Sequence, residues 1–395
     1  MTPSLLHAAD FSSLYGGNFI ASLKALAKAS ERSGFRLVLV VPPQARERSW
    51  SREWADEGRG IYFVPPTPAV GPLRCAALLA KIAAGENAAI FHTHFTQYDV
   101  PAWLASVWLG MHGRRSEVVW HHHSDFPNKR TASRRIKDWL KYRVMGRSAN
   151  VIGVSEQTVR SALVAGFPPA SLRIIPNGVD VCRVTSPGRS RNEVAAPLHV
   201  DQGACVVLLF GWHPAIKGVD LAMDAVRRLA EEGKKVVLAA IGTQSMLDFI
   251  RERVGENIPT WLRTLAPAEN VADLYQIADV FLSASRNEGF PYSVTEAMAC
   301  GVPTVLSDIP AVAWAKQVPG TIFFPAGDSA KLADALREVL KWTRGQREEI
   351  VAVAQEFVRT HYDVRQWAEQ IVQYYRELLG TTETIPTDDG QAVRE

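Results

Sequence analysis

The sequence predicts an α/β protein built from two Rossmann-like domains. Three observations carry this reading. The chain has 395 residues, more than one ordinary hydrophobic core organises and well suited to two. Short apolar runs alternate with longer helical patterns along nearly its whole length, which is the signature of a parallel sheet covered on both faces. A stretch at 183–204, rich in Pro, Ser and Arg and without apolar periodicity, divides that alternation in two.

The elements follow in order. In the first half, continuous apolar runs predict strands at 4–9, 36–41, 60–64, 88–92, 117–122, 150–154 and 172–175. Helical patterns fall between them at 18–33, 72–84, 100–111 and 133–146. Beyond the linker, strands are expected at 205–210, 235–241, 260–265, 279–283, 303–307 and 321–324. Residues 362–379 read as a strongly amphipathic last helix, and the polar tail 381–395 as disordered. The division is therefore 1–185 for a first domain and 186–360 for a second. A helix at 361–380 packs back toward the first domain, and the tail is 381–395.

Composition narrows the class. The chain is 47% hydrophobic and 22% charged, as in a globular protein. No apolar run approaches the roughly 20 residues of a membrane span. The opening MTPSLLHAADFSS lacks a basic region followed by a long apolar one, so no signal peptide is expected. Cys75, Cys182, Cys205 and Cys300 show no paired spacing, which suits a reduced, cytoplasmic protein. The net charge of +3 is unevenly spread. Residues 1–200 hold 25 Lys/Arg against 14 Asp/Glu, whereas 201–395 hold 19 against 27. A basic first half points to an anionic partner.

Three local patterns carry chemistry. In SASRNEGFPYSVTEAMACGVP, Glu288 and Glu296 flank a Gly-Phe-Pro turn between a strand and a helix. Ligands in open α/β sheets bind beyond the strand ends, where a helix start offers free N–H groups. Ser293 and Glu296 also fit a capping box, in which the glutamate only satisfies the helix start. Second, FHTHF and WHHHSD end two strands. Alternation puts His92 with His94 on one face, and His121 with His123. A metal site and a buried structural cluster both fit that pattern. Third, residues 128–147 hold eight Lys/Arg and one Asp. Arg130, Arg134, Lys137 and Lys141 form one helical stripe, and Ile136, Trp139, Leu140 and Val144 another. This is either a surface helix packed by its apolar face or an interfacial helix meeting anionic lipid. No nucleic-acid module is visible.

The block from Glu288 to Pro303 resembles the donor site of retaining glycosyltransferases of family four, which have the GT-B fold of two Rossmann-like domains facing across a cleft. The resemblance extends to YGGNF (15–19), to Asn177-Gly178-Val179-Asp180 and to FGWHPAIKGVD (210–220). It implies that Glu288 faces the transferred sugar and Glu296 the ribose. Backbone amides of the Gly289-Phe290-Pro291 turn would contact sugar and phosphate. Gly16, Gly17 and the strand-end Gly211 would lie along the donor, with Lys217 neutralising its diphosphate. His123 would stand over the sugar, with His121 as alternate. The family usually has Arg where this chain has Trp212.

The expected activity is transfer of a sugar, with retention, from a nucleotide donor to a glycan or lipid-linked saccharide. A UDP-sugar is the preferred donor, and neither metal nor other cofactor is expected. By resemblance the mechanism uses no protein nucleophile. A double displacement would need a carboxylate on the opposite face, for which Asp125 is the candidate. Peripheral contact with an anionic membrane would explain the basic first half. Alternatives are a non-catalytic sugar-nucleotide-binding subunit, which Trp212 favours, and a transferase for a soluble small acceptor. A sugar-nucleotide epimerase shares the fold, but the Glu-Gly-Phe-Pro block argues against it.

Overall fold

The computed structural model describes residues 2–124, 136, 138–199 and 203–381. They form two parallel sheets. The first runs β3-β2-β1-β4-β5-β6-β7, with β1 Ser4–Ala9, β2 Arg36–Val41, β3 Ile61–Phe63, β4 Ala88–His94, β5 Glu117–His122, β6 Asn150–Gly153 and β7 Leu172–Ile174. The second runs β10-β9-β8-β11-β12-β13, with β8 Cys205–Phe210, β9 Val236–Ile241, β10 Leu262–Leu265, β11 Val280–Ser283, β12 Thr304–Asp308 and β13 Thr321–Pro325. Every strand expected from the sequence is present within two residues of its expected ends. The central apolar runs are covered on both sheet faces, as in β8, where all six residues are buried, whereas the edge strands β3 and β7 are only partly covered.

In each sheet the order reverses beside the first strand, between β1 and β4 and between β8 and β11. Those switch points open crevices at the carboxyl ends of the strands. The register also groups the histidines. His7 of β1 lies beside His92 of β4, and His94 beside His121 of β5.

The expected linker is more structured than its composition suggests. Val181–Val184 and Arg191–Ala195 are short helices, with a 3-10 turn at Ala196–Leu198. Val184, Val194 and Leu198 sink into the core of the second domain. These helices are too short to show a periodicity. Their caps hold them instead: Asp180 accepts from Arg183 N, and Ser190 forms a capping box with Glu193.

The C-terminal helix Val364–Leu379 buries Trp367, Ile371 and Tyr375 with Phe19 and Leu23 of helix Gly17–Arg32 in a core of the first domain. Its start is pinned by a bridge between Val179 and Asp363, with Val179 N donating to Tyr362 O at 2.7 Å. Gly178 has no alternative there, since a Cβ would meet the Val364 Cα at 2.7 Å.

Helix 133–146 is only partly within the described residues. Leu140–Val144 winds as a π-helix and Met145–Arg147 as a 3-10 turn. Arg130, Arg134, Lys137 and Asp125 lie outside the described residues.

Candidate active site

Between the two sheets lies a cavity of about 700 Å³. The first domain contributes the start of helix Gly17–Arg32. Gly17 has φ +55°, and a Cβ on Gly16 would stand 2.9 Å from the Ile20 Cβ. This lets the chain turn straight into the helix and direct its free N–H groups into the cavity. Asn18 locks the turn. Its Nδ2 donates to Gly178 O at 2.7 Å, and its Oδ1 accepts from Asp180 N at 3.1 Å. The Asn-Gly-Val-Asp element is thus the anchor of the helix start.

The second domain contributes two loops. One follows β8. Gly211 packs beneath the cavity, with no room for a Cβ beside Met246 Sδ at 2.7 Å, and does not line it. Trp212 does line it and is 40% exposed. Lys217 ends this loop. Gly218 follows with φ +66°, where a Cβ would fall 2.0 Å from Ala284 O. The other loop follows β11. Its Arg286 forms a two-pronged ion pair with Asp220 at 2.9 and 2.7 Å, tying the two loops together. The result is a direct ion pair between Lys217 Nζ and Glu288 Oε1, which also accepts from Ser285 Oγ at 2.7 Å.

Phe290 and Pro291 lead into helix Tyr292–Ala299 on the cavity wall. The capping-box reading of Glu296 fails here. Pro291, not Ser293, occupies the cap position, and no side chain caps this helix. The Glu296 carboxylate points the other way. One oxygen pairs with Arg183 Nη2, and the other accepts from Tyr275 OH at 2.9 Å. Burial raises its pKa, and Arg183 and Tyr275 oppose that rise. Arg183 and Tyr275 were not singled out in the sequence. Arg183 reaches Glu296 only because its short helix folds beneath the second sheet.

The two domains meet at Gly289. A Cβ there would lie 2.0 Å from His123 O. His123 is half-buried against Phe19 and Phe95, which line the cavity. The structure therefore brings Gly16, Gly17, Lys217, Glu288, Phe290, Pro291 and Glu296 to one cavity, with His123 and Gly289 in contact at its edge. Burial favours the uncharged form of the imidazoles around His123. Burial lowers His7 and His123 to about 3 and His122 to about 4. It holds His92, His94 and His121 well below the ordinary value, with neighbouring imidazoles adding to the effect.

Lys141 departs from the expected basic stripe. Its Nζ turns inward and donates to the buried Asp99 Oδ2 at 2.7 Å. Burial works against the charge on Asp99, yet Lys141, His122 and Thr93 together hold its carboxyl below the usual range. A buried carboxylate needs such a partner, and sequence periodicity does not reveal one. The packed-helix reading also fails for the apolar stripe, since Ile136, Trp139, Leu140 and Val144 are all exposed. Helix Asp99–Met111, joined to this segment by Trp103 Nε1 donating to Ser148 Oγ at 2.8 Å, adds exposed Trp108 and Met111. Among the described residues no helix is long and apolar enough to cross a membrane.

Comparison with known proteins places this geometry. Residues 21–183 match the family model described as Glycosyltransferase Family 4, and residues 204–341 the one described as Glycosyl transferases group 1. A D-inositol 3-phosphate glycosyltransferase of Geodermatophilus obscurus is 29% identical over 242 residues, 58% of this chain and 51% of the relative. The phosphatidyl-myo-inositol mannosyltransferase of Mycobacterium leprae is 31% identical over 209 residues, 52% of this chain and 53% of the relative. The chain thus spans about half the length of the curated relatives it matches. Among solved structures, a glycosyltransferase from Rickettsia africae superposes with a TM-score of 0.78 at 17% identity, covering 96% of this chain and all of that one. Anabaena HepE in complex with UDP gives 0.76 at 18%, covering 95% and 100%. With both family models matched in order, one on each side of the Lys217–Glu288 cavity, the chain belongs to the family-four, group 1 glycosyltransferases of GT-B fold.

Proposed function

We propose that the protein is a retaining glycosyltransferase that moves a hexosyl unit from a UDP-sugar to a glycan or lipid-linked acceptor. The observation that carries this reading is the Lys217–Glu288 pair, set between two helix starts that both face the cavity. A diphosphate entering there meets one lysine and two positive helix ends. Glu288, freed from Lys217, faces the sugar. Lys217 and the helix start at Gly16–Gly17 stabilise the leaving diphosphate, and the departing phosphate oxygen takes the acceptor's proton on the face it leaves. His123 donates to the sugar from the first domain. Anabaena HepE with bound UDP-glucose, similar in fold, supports the choice of donor.

The test is turnover of UDP-glucose and other nucleotide sugars without acceptor, with and without EDTA. Slow hydrolysis of at least one donor that survives EDTA supports the reading. Tight UDP binding with no turnover of any donor would return it to a non-catalytic subunit. Loss of turnover in EDTA that a divalent cation restores would overturn the metal-free mechanism.

Glu296 has two of its roughly four lone-pair directions taken by Arg183 and Tyr275, which leaves the rest for ribose hydroxyls. Glu296→Gln is expected to weaken UDP binding by about 1–3 kcal/mol, the range for a hydrogen bond to a charged group. Calorimetric titration measures this directly. A fall in thermal stability with unchanged UDP affinity would assign Glu296 to structure alone.

We also propose that the acceptor is met at an anionic membrane surface, at the cytoplasmic face. Exposed Trp108, Met111, Ile136, Trp139 and Val144, together with the basic composition of 128–147, support this. Relatives named for lipid acceptors, such as the alpha-galactosylglucosyldiacylglycerol synthase of Streptococcus pneumoniae (27% identical over 232 residues), point the same way. Co-sedimentation with anionic vesicles is expected to fall with salt and to drop further in Trp139→Ser/Ile136→Ser. Equal binding to neutral and anionic vesicles would favour a soluble acceptor.

A further inference from the structure

The histidine row is ordered as a chain. Five imidazoles share one face of the first sheet: His7 from β1, His92 and His94 from β4, and His121 and His123 from β5 and its end. His7 Nδ1 stands 3.2 Å from His94 Nε2, and His94 Nδ1 stands 3.0 Å from His123 Nε2. The ring centroids of these pairs are 5.4 and 5.3 Å apart, with planes inclined by 27° and 30°. Such separations set the rings end to end, so that one lone pair faces the next N–H. His92 Nε2 and His121 Nδ1 repeat the arrangement at 3.1 Å. The Tyr375 hydroxyl, carried in by the C-terminal helix, joins the two runs. It contacts His92 Nδ1 and lies 3.0 Å from His7 Nε2.

This geometry disfavours a metal. Two triplets, His7/His92/His94 and His94/His121/His123, hold nitrogens within 4.8 Å of one another. A metal requires lone pairs converging on one point about 2.0–2.1 Å from each nitrogen. Here paired nitrogens face each other along hydrogen-bond lines and do not converge on one point.

A neutral imidazole carries one N–H and one lone pair, and a tyrosine hydroxyl carries one O–H. The chain therefore has six protons for five links, with one left at an end, and two polarities satisfy every link. In the first, each proton points toward His123. The far end is then a bare lone pair on His121 Nε2, a buried atom without a partner among the described residues. In the second, that same buried atom is an N–H with no acceptor. By analogy with buried backbone groups, where orphaned N–H donors are rarer than under-satisfied acceptors, the first polarity is favoured. At the other end, His123 Nδ1 has no partner among the described residues, and its ring packs against Phe95, which lines the cavity.

We propose that Tyr375, His7 and His94 are positioning residues that fix His123 as the tautomer protonated on Nδ1, so that this N–H is held toward the cavity as a donor to a sugar hydroxyl. The sugar hydroxyl rests on the proposed function; the tautomer rests on the chain alone. A donor set in advance needs no reorganisation when the sugar begins to leave. The relay also gives the C-terminal helix a part in the site that its apolar packing does not explain.

The test uses the full chain labelled with 15N-histidine. Two-bond 1H–15N correlation spectra at pH 7 distinguish the tautomers. The expected result is a single Nδ1–H tautomer for His123 in the unmodified protein. In Tyr375→Phe a tautomer mixture should appear, with kcat for UDP-glucose hydrolysis falling about fivefold at unchanged KM. A His123 protonated on Nε2, or a Tyr375→Phe spectrum identical to that of the unmodified protein, overturns the relay. The spectra decide this whichever donor turns over. His123→Ala separates the two readings. Unchanged hydrolysis in that variant would overturn the sugar contact without touching the tautomer result.

Discussion

Below pH 6.5 the protein is expected to lose stability steeply. His7, His92, His94, His121 and His122 are buried, and each is held below its ordinary value of 6.5. The sign follows from proton counting. Above pH 6.5 neither the folded nor the unfolded chain protonates these rings, and they do not affect the balance. As pH falls through 6.5, the unfolded chain binds protons that the folded chain refuses until much lower pH. The unfolded state then gains about 1.4 kcal/mol per ring per pH unit, so five rings give an upper slope of roughly 7 kcal/mol per unit. A typical stability of about 5–15 kcal/mol would be consumed within one to two units. Melting temperature followed by circular dichroism should be flat from pH 8 to 7 and fall sharply toward pH 5. A flat profile down to pH 5 would mean that the row already holds protons when folded.

Lys217→Ala should reduce kcat/KM for UDP-glucose by about 10²–10³, the cost of removing one preorganised charge donor from a reacting centre. Two effects combine. The leaving diphosphate loses its cation, and among the described residues Glu288 is left with only Ser285 as a partner beside the incoming phosphates. Trp212 offers no charge in compensation. The companion change Glu288→Gln in the Lys217→Ala background should recover part of the UDP affinity, because it removes the repulsion, and none of the kcat. Lys217→Arg should fall between the two. Steady-state hydrolysis and UDP titration separate these outcomes. A change of under threefold in Lys217→Ala would place the diphosphate elsewhere.

The sequence by itself determined the strands, the two-domain division and the positions of the loops that carry the site. It did so because parallel strands buried on both faces leave continuous apolar runs, as in CVVLLF, and because a glycine turn before a helix, as at Gly16–Gly17, is a local requirement. Glu288 and Lys217 lie in such loops and Glu296 in the helix that follows one, and the family resemblance of those stretches singled them out. What only the tertiary structure decided was partnership. That Lys217 faces Glu288, that Arg183 and Tyr275 hold Glu296, and that Gly289 meets the His123 carbonyl all join residues from separate elements. Lys141 shows the limit most plainly. Its spacing places it on a basic stripe, but the carboxylate that draws it inward, Asp99, lies 42 residues earlier in the chain. Helical period fixes which face of its own helix a side chain occupies. Whether that face meets water, lipid or a buried charge depends on what the fold packs against it.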